Sequence, residues 1–133
     1  MEKVVRLNKK TDYCLRVLIY LQKRGGKSKI QDIADCYGVS KNHLSVAVNR
    51  LSELGYILSN QGPKGGIEFN PQLAGVSVAR LVTEIEAFEV AECFEVEGES
   101  CSLNSHCKFK KILVGATNSF IEELDRYQIK DLV

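Results

Sequence analysis

The 133-residue chain lacks a long apolar run, and nothing at its N-terminus resembles a secretion signal. A membrane-spanning helix needs about 20 consecutive apolar residues, and no stretch of the sequence approaches that length. A signal peptide would place an apolar segment behind its first charges, whereas "MEKVVRLNKK" has none. We therefore expect a cytoplasmic protein with no membrane partner.

The sequence is also poor in the side chains that catalysis uses. Its two histidines, His43 and His106, show no catalytic spacing to a nucleophile, and no glycine-rich phosphate-binding loop is present. Hydrophobic residues make up 44% of the chain and charged residues 26%, as is typical of one globular domain. The chain is therefore not expected to be an enzyme.

A net charge of +1 conceals an uneven distribution. Residues 1–70 contain 12 Lys and Arg against 6 Asp and Glu, whereas residues 71–133 contain 6 against 11. Such a division favours contact between the front half and a polyanion.

Residues 30–54 predict a helix-turn-helix. The apolar residues of the first helix recur at helical spacing, Gly38 breaks it, and Ser40 can cap the next helix. That second helix has its apolar residues on one side. The opposite side carries mostly polar and basic residues, which is typical of a helix that binds in the major groove of DNA. The residues on this opposite side, which we expect to bind DNA, are Lys41, Asn42, Ser45, Val46, Asn49 and Arg50.

Two short β-like runs, "YILSN" and "GIEF", follow and are joined by "QGPKG", so a hairpin is predicted. A helix-turn-helix followed by a hairpin is a winged helix, here residues 1–74. Lys64 lies in the predicted wing turn, and Lys9 and Lys10 add further candidate phosphate contacts. The fold class is therefore mainly α with a small β-hairpin wing.

Residues 75–133 are expected to form a helix, a cysteine-containing loop and a long C-terminal helix within the same compact unit. Apolar residues of the long helix recur at heptad-like intervals: Ile112, Leu113, Ala116, Phe120 and Leu124. Such a stripe can be a dimerisation seam or can cover the domain's own core, and the pattern alone does not choose.

Cys93, Cys101 and Cys107 occupy one polar loop with the spacing C-x7-C-x5-C. Thiolates hold iron–sulfur clusters and zinc. Zinc bound with the adjacent His106 and three unrelated cysteines are the weaker alternatives to a cluster. The other two cysteines, Cys14 and Cys36, are expected to be small core residues.

Taken together, "TDYCLRVLIYL", "IADCYGVSKNHLSVAVNRLSELGYI", "KGGIEF", the three-cysteine loop and "FIEELDRYQIKDLV" resemble the NsrR/IscR family, and its nitric-oxide-sensitive branch most. The resemblance implies a homodimeric repressor that binds a pseudo-palindromic DNA operator and loses affinity when nitric oxide attacks its iron–sulfur cluster. It implies a 4Fe–4S cluster, with 2Fe–2S as the alternative. It also implies that Asp12, supplied by the other subunit, is the fourth ligand beside the three cysteines. Without the resemblance, Asp12 or Thr11 would be interpreted as a helix cap.

Three features depart from the family pattern. Lys110 stands where IscR-like chains have a histidine, the C-x7-C gap is similar to that of the iron-responsive branch, and Gln61 replaces a basic wing residue. An iron-availability or redox sensor therefore stays open as an alternative. An iron–sulfur carrier without specific DNA binding is the second alternative.

Overall fold

A computed structural model describes residues 4, 6–86 and 108–133, so the three loop cysteines and His106 lie outside the described residues. The described residues form five α-helices, two short 3-10 helices and one antiparallel hairpin, which confirms the predicted fold class. The helices and strands are α1 Lys9–Arg24, α2 Ile30–Tyr37, α3 Lys41–Leu54, β1 Ile57–Asn60, β2 Gly66–Phe69, α4 Val78–Ile85 and α5 Lys108–Asp125. The 3-10 helices are Pro71–Leu73 and Ile129–Leu132.

Helix α1 begins at Lys9, before the position at which a cap at Thr11 or Asp12 would start it. Asn8 is the N-cap, and its side chain accepts the backbone N–H of Thr11 at 2.9 Å. Asp12 lies inside the first turn and Thr11 is buried, so the interpretation of either residue as the cap is wrong. The lysines at positions 9 and 10 carry no apolar signal, which is why the pattern hid the true start.

The helix-turn-helix has the predicted form. Gly38 ends α2 in the left-handed region at φ 66°, which glycine adopts without steric cost. Ser40 takes the N-cap position of α3, but its side chain makes no capping hydrogen bond. On the apolar side of α3, four residues are buried: Leu44, Ala47, Val48 and Leu51.

Cys14 is fully buried among the core residues, as predicted, whereas the prediction for Cys36 is wrong. Cys36 is exposed, because the buried residues of α2 are Ile33 and Ala34 and Cys36 lies about 110° around the helix from their midpoint.

The hairpin contains a third segment that sequence analysis did not predict. Strands β1 and β2 pair antiparallel, with Ile57 opposite Phe69. Ser28, which precedes α2, forms an isolated antiparallel bridge with Ile67 of β2. Its backbone N–H donates to the carbonyl oxygen of Ile67 at 2.9 Å, and the Ile67 N–H donates back at 2.8 Å.

The C-terminal residues return to the winged-helix core. Ile129 is fully buried, and its N–H donates to the carbonyl oxygen of Val76 at 2.9 Å. Helix α5 packs on α4, but none of its residues is fully buried. Among the helices of the described residues, none is long and apolar enough to cross a membrane.

The apolar residues of α5 occupy two sides. Leu113, Phe120 and Leu124 are half-buried, whereas Ile112 and Ala116, which the stripe included, are exposed. Exposed apolar side chains of α5 are Phe109 at 57%, Ile112 at 65% and Val114 at 49%. Leu113, Phe120 and Leu124 therefore share the half-buried side of α5, whereas Phe109, Ile112 and Val114 are exposed at other positions around the helix.

We expect Gly66→Ala to lower the free energy of unfolding by about 1–3 kcal/mol. Gly66 has a φ of 156°, and an added Cβ would lie 2.8 Å from the carbonyl oxygen of Ser28. Urea titration followed by circular dichroism measures the change. Gly75→Ala is the matched control, because a Cβ at Gly75 meets nothing within 4 Å. Equal stability of the two variants would contradict the close approach.

Candidate nucleic-acid interface and cluster site

The outward side of α3 carries the side chains predicted to bind DNA. Lys41, Asn42, Val46 and Asn49 are exposed, and Val46 is 54% exposed although it is apolar. Ser45 is half-buried, and its hydroxyl donates to the carbonyl oxygen of Lys41 at 2.8 Å. Burial of the other side of α3 therefore leaves a polar surface with one apolar contact point.

The wing and the start of α1 carry further exposed positive charge. Lys64 is exposed in the turn between the strands, and Lys9 and Lys10 are exposed in the first turn of α1. Lysines in a first helical turn are opposed by the helix dipole, so a nearby anion would relieve an unfavourable interaction.

Arg50 differs from the other predicted DNA contacts, because its guanidinium is used within the protein. Nη1 donates to Oε2 of Glu53 at 3.1 Å, and Nη2 donates to the backbone carbonyl of Glu84 at 3.2 Å. The side chain is 34% exposed. Arg50 therefore joins α3 to the last turn of α4.

The Glu84 side chain is itself held in place. Its Oε1 accepts the hydroxyl of the fully buried Tyr56 at 2.9 Å and Nε of Arg80 at 3.1 Å. Burial, and then the hydrogen bond to Glu84, hold the pKa of Tyr56 well above its usual value. Tyr56 stays protonated at physiological pH and serves as a permanent donor.

We expect Arg50→Ala to lower the free energy of unfolding by roughly 1–3 kcal/mol, since a charged donor is lost from two acceptors. Denaturant unfolding measures this change. Arg126→Ala is the control, because the exposed Arg126 makes only local contacts, with Glu123 and with the ring of Tyr127, and exposed ion pairs contribute about 0.5 kcal/mol. Equal stabilities of the two variants would contradict the structural role.

The slope of log affinity for DNA against log salt shows whether Arg50 also contacts phosphate, because each phosphate contact contributes about 0.9 to that slope.

Asp12 lies near the start of α1 with its side chain 44% exposed. Oδ1 accepts Nε of Arg16 at 3.2 Å, and Oδ2 has no partner among the described residues. The Arg16 guanidinium carbon lies 5.6 Å from the ring centroid of Tyr37, and the Tyr37 hydroxyl donates to the Arg16 carbonyl at 2.9 Å. Asp12 is therefore an accessible carboxylate connected to the end of α2.

No group of three His, Cys, Asp or Glu side chains within the described ranges could hold a metal ion. The three cysteines predicted to bind a cluster, Cys93, Cys101 and Cys107, lie outside these ranges. The chemistry of the donor set fits a cluster, because three thiols within 15 residues and one accessible carboxylate supply four ligands.

The two cysteines outside the loop have opposite environments. The Cys14 thiol donates to the carbonyl oxygen of Ala47 at 3.6 Å, and burial raises its pKa to about 12. Because the thiolate is the nucleophilic form, the Cys14 thiol is unreactive in the folded protein.

We expect iodoacetamide at pH 8 to alkylate Cys36 in the native protein and to leave Cys14 intact. With a pKa of about 12, only about one Cys14 thiol in ten thousand would be ionised at that pH. Peptide mass spectrometry measures both sites, and labelling in urea is the control that should expose Cys14. Native labelling of Cys14 as fast as Cys36 would contradict its burial.

Comparison with known proteins identifies the family. The family model described as "Rrf2: Iron-dependent Transcriptional regulator" matches residues 7–133, so the chain belongs to the Rrf2 family. Members of this family are transcription regulators and not enzymes, and DNA binding is their shared function.

Solved structures of low sequence identity share the fold. CymR (YrzC), the global cysteine regulator of B. subtilis, is 21% identical with a TM-score of 0.71, over 97% of this chain and 96% of that chain. Staphylococcus aureus CymR is 24% identical with a TM-score of 0.70, over 92% and 93% of the two chains. T. potens IscR is 18% identical with a TM-score of 0.71, over 96% and 85%.

Proposed function

We propose that this Rrf2-family regulator is a homodimeric repressor that releases its operator in response to nitric oxide. Cys93, Cys101 and Cys107 of one subunit and Asp12 of the other would hold an iron–sulfur cluster, 4Fe–4S in preference to 2Fe–2S. The observation that carries the proposal is the state of Asp12. Its carboxylate does not cap α1, is almost half exposed and keeps one oxygen without a partner among the described residues.

The donor set suits a sensor. A carboxylate is a harder and more exchangeable ligand for iron than a thiolate. Bound there, the cluster would supply iron atoms at which a small diatomic gas can react. The task of the chain is then to couple the position of the Asp12 carboxylate to the DNA-binding helices.

The contacts of Asp12 provide that coupling. A carboxylate withdrawn from Arg16 leaves the guanidinium with only its contact over the Tyr37 ring. Tyr37 is the last residue of α2 and directly precedes the Gly38 turn to α3. A change in the partner of Asp12 would therefore alter the contacts of the turn that orients the recognition helix. A ligand shifts the balance between two conformational states only if it binds them with different affinities.

The exposed side of α3 would read the operator. Asn42 and Asn49 can each form two hydrogen bonds with adenine, Lys41 can reach guanine or phosphate, and Val46 can contact a thymine methyl. Phosphate contacts would come from the lysines of the wing and of α1: Lys64, Lys9 and Lys10. Arg50 and Ser45 stay predicted contacts of the same helix.

A second copy of the chain is the proposed partner of α5. Phe109 and Ile112 expose large apolar side chains on one side of α5, and Val114 exposes another on a different side. Large apolar side chains left exposed on a helix are typical of an interaction surface. A two-fold dimer would also present two copies of α3 to the two halves of a pseudo-palindromic operator.

Iron availability is a second candidate signal, which the family description "Iron-dependent Transcriptional regulator" favours. In that case loss of the cluster on iron depletion, and not reaction with nitric oxide, would release DNA. The two signals lead to different spectra in the experiment below.

The test is anaerobic purification followed by visible absorption spectra during a nitric oxide titration, with operator affinity measured in parallel by fluorescence anisotropy. Operator fragments are first selected from genomic DNA by the cluster-loaded protein. We expect a broad iron–sulfur band that nitric oxide bleaches, and at least a tenfold loss of operator affinity. Asp12→Ala and Cys93→Ala should weaken cluster retention and operator binding, and the control Cys36→Ala should change neither.

The outcomes separate the alternatives. A band that is indifferent to nitric oxide but lost on chelation would replace the nitric oxide signal by iron. Wild-type operator affinity in Cys93→Ala would exclude a role for the cluster in DNA binding. A protein that is colourless even after reconstitution with iron and sulfide would exclude the cluster itself.

A further inference from the structure

We propose that a second surface binds the phosphates of the DNA backbone beside the recognition helix. It consists of the segment Lys27–Lys29 together with Lys23 and Arg24. The proposal rests on the operator binding described under Proposed function and adds a contact surface to it. Residues 23–29 read "KRGGKSK", four cations in seven residues with no acidic residue between them.

Backbone pairing holds this segment in place. Ser28 exchanges two hydrogen bonds with Ile67 of the wing, at 2.9 and 2.8 Å, and its side chain is 5% exposed. Gly66 permits the close approach, because a Cβ there would meet the Ser28 carbonyl oxygen at 2.8 Å. Ser28 is therefore paired with β2 in antiparallel geometry, as a one-residue extension of the wing sheet.

Strand geometry then fixes the direction of the lysines. Side chains alternate between the two faces of a strand. Ser28 and Ile67 are both buried on the core face, so Lys27 and Lys29 project from the opposite face. Both lysines are exposed, and neither forms an ion pair or a side-chain hydrogen bond within the described residues.

The segment also lies where the DNA backbone is expected. Lys29 is the N-cap of α2, which is the first helix of the helix-turn-helix. In this motif the first helix crosses the sugar–phosphate backbone while the second enters the major groove. Lys27 and Lys29 directly precede α2. We therefore expect them to contact the DNA phosphates that lie next to α3 on the side of the first helix.

Lysines also protect edge strands from unwanted pairing, and that role would need no DNA. It explains charge at positions 27 and 29 but predicts no effect of those charges on DNA affinity. Lys23 and Arg24 lie in the last turn of α1, outside any strand, and are exposed, so they add positive charge close in sequence to Lys27 and Lys29, which favours a polyanion.

The test compares wild type, Lys27→Ala/Lys29→Ala and the control Arg126→Ala/Lys130→Ala on the selected operator fragment, between 50 and 300 mM salt. The control removes two exposed cations of the C-terminal turn, which pairs with residues 74–78 and not with the wing. Two phosphate contacts per protomer, at about 0.9 each, predict a salt slope shallower by about 3–4 for a dimer. Operator affinity at low salt should fall at least tenfold. The ratio of operator to non-specific affinity should change less than threefold, because phosphate contacts carry no sequence information.

Thermal unfolding of each variant excludes loss of fold, and Lys27→Glu/Lys29→Glu should enlarge the effect if charge is responsible. A salt slope and affinity equal to those of the control would overturn the inference while leaving the proposed function intact. A wild-type protein with no sequence-dependent DNA binding would overturn both. A large fall in the specificity ratio would also overturn the inference, since it would place these lysines against base edges.

Discussion

The packing of α1 on α3 is the constraint on which the rest of the structure depends. Cys14, Val17 and Leu18 of α1 and Leu44 and Leu51 of α3 are completely buried in one core cluster. Each buried aliphatic side chain contributes roughly 1.5–3 kcal/mol, so this contact outweighs any polar interaction on the surface. With its apolar side committed to α1, helix α3 must turn its polar side outward, and the first turn of α1 keeps Asp12 accessible.

The end of α4 connects the parts that a regulator must couple. The backbone carbonyl of Glu84 accepts the Arg50 guanidinium from α3, and the Glu86 carboxylate accepts the N–H of Asn8 at 3.2 Å. Asn8 in turn caps α1, where Asp12 lies. Residues 84–86 therefore hold both the recognition helix and the start of α1, directly before the cysteine-containing part of the chain. Displacement of this short stretch would be transmitted to both elements at once.

Sequence reasoning succeeded where the determining interactions are local. The apolar spacing of α2 and α3, the glycine at position 38 and the two short β runs all indicate structure within a few residues of themselves, and all were confirmed. It was wrong for Cys36, because the burial of a single position depends on which side of a short helix meets its neighbours. The stripe on α5 likewise combined residues of two sides, since heptad spacing does not show which side α4 covers.

The sequence by itself determined a winged helix whose helix α3 turns a polar side outward, because periodicity and residue type are local properties of the chain. Only the tertiary structure decided that Arg50 reaches across 34 residues to Glu84, that the Tyr37 hydroxyl of α2 reaches the Arg16 carbonyl of α1, and that Ser28 joins the wing. Those contacts depend on how closely folded elements approach one another. That approach follows from the packing of the whole core, which no single stretch of sequence contains.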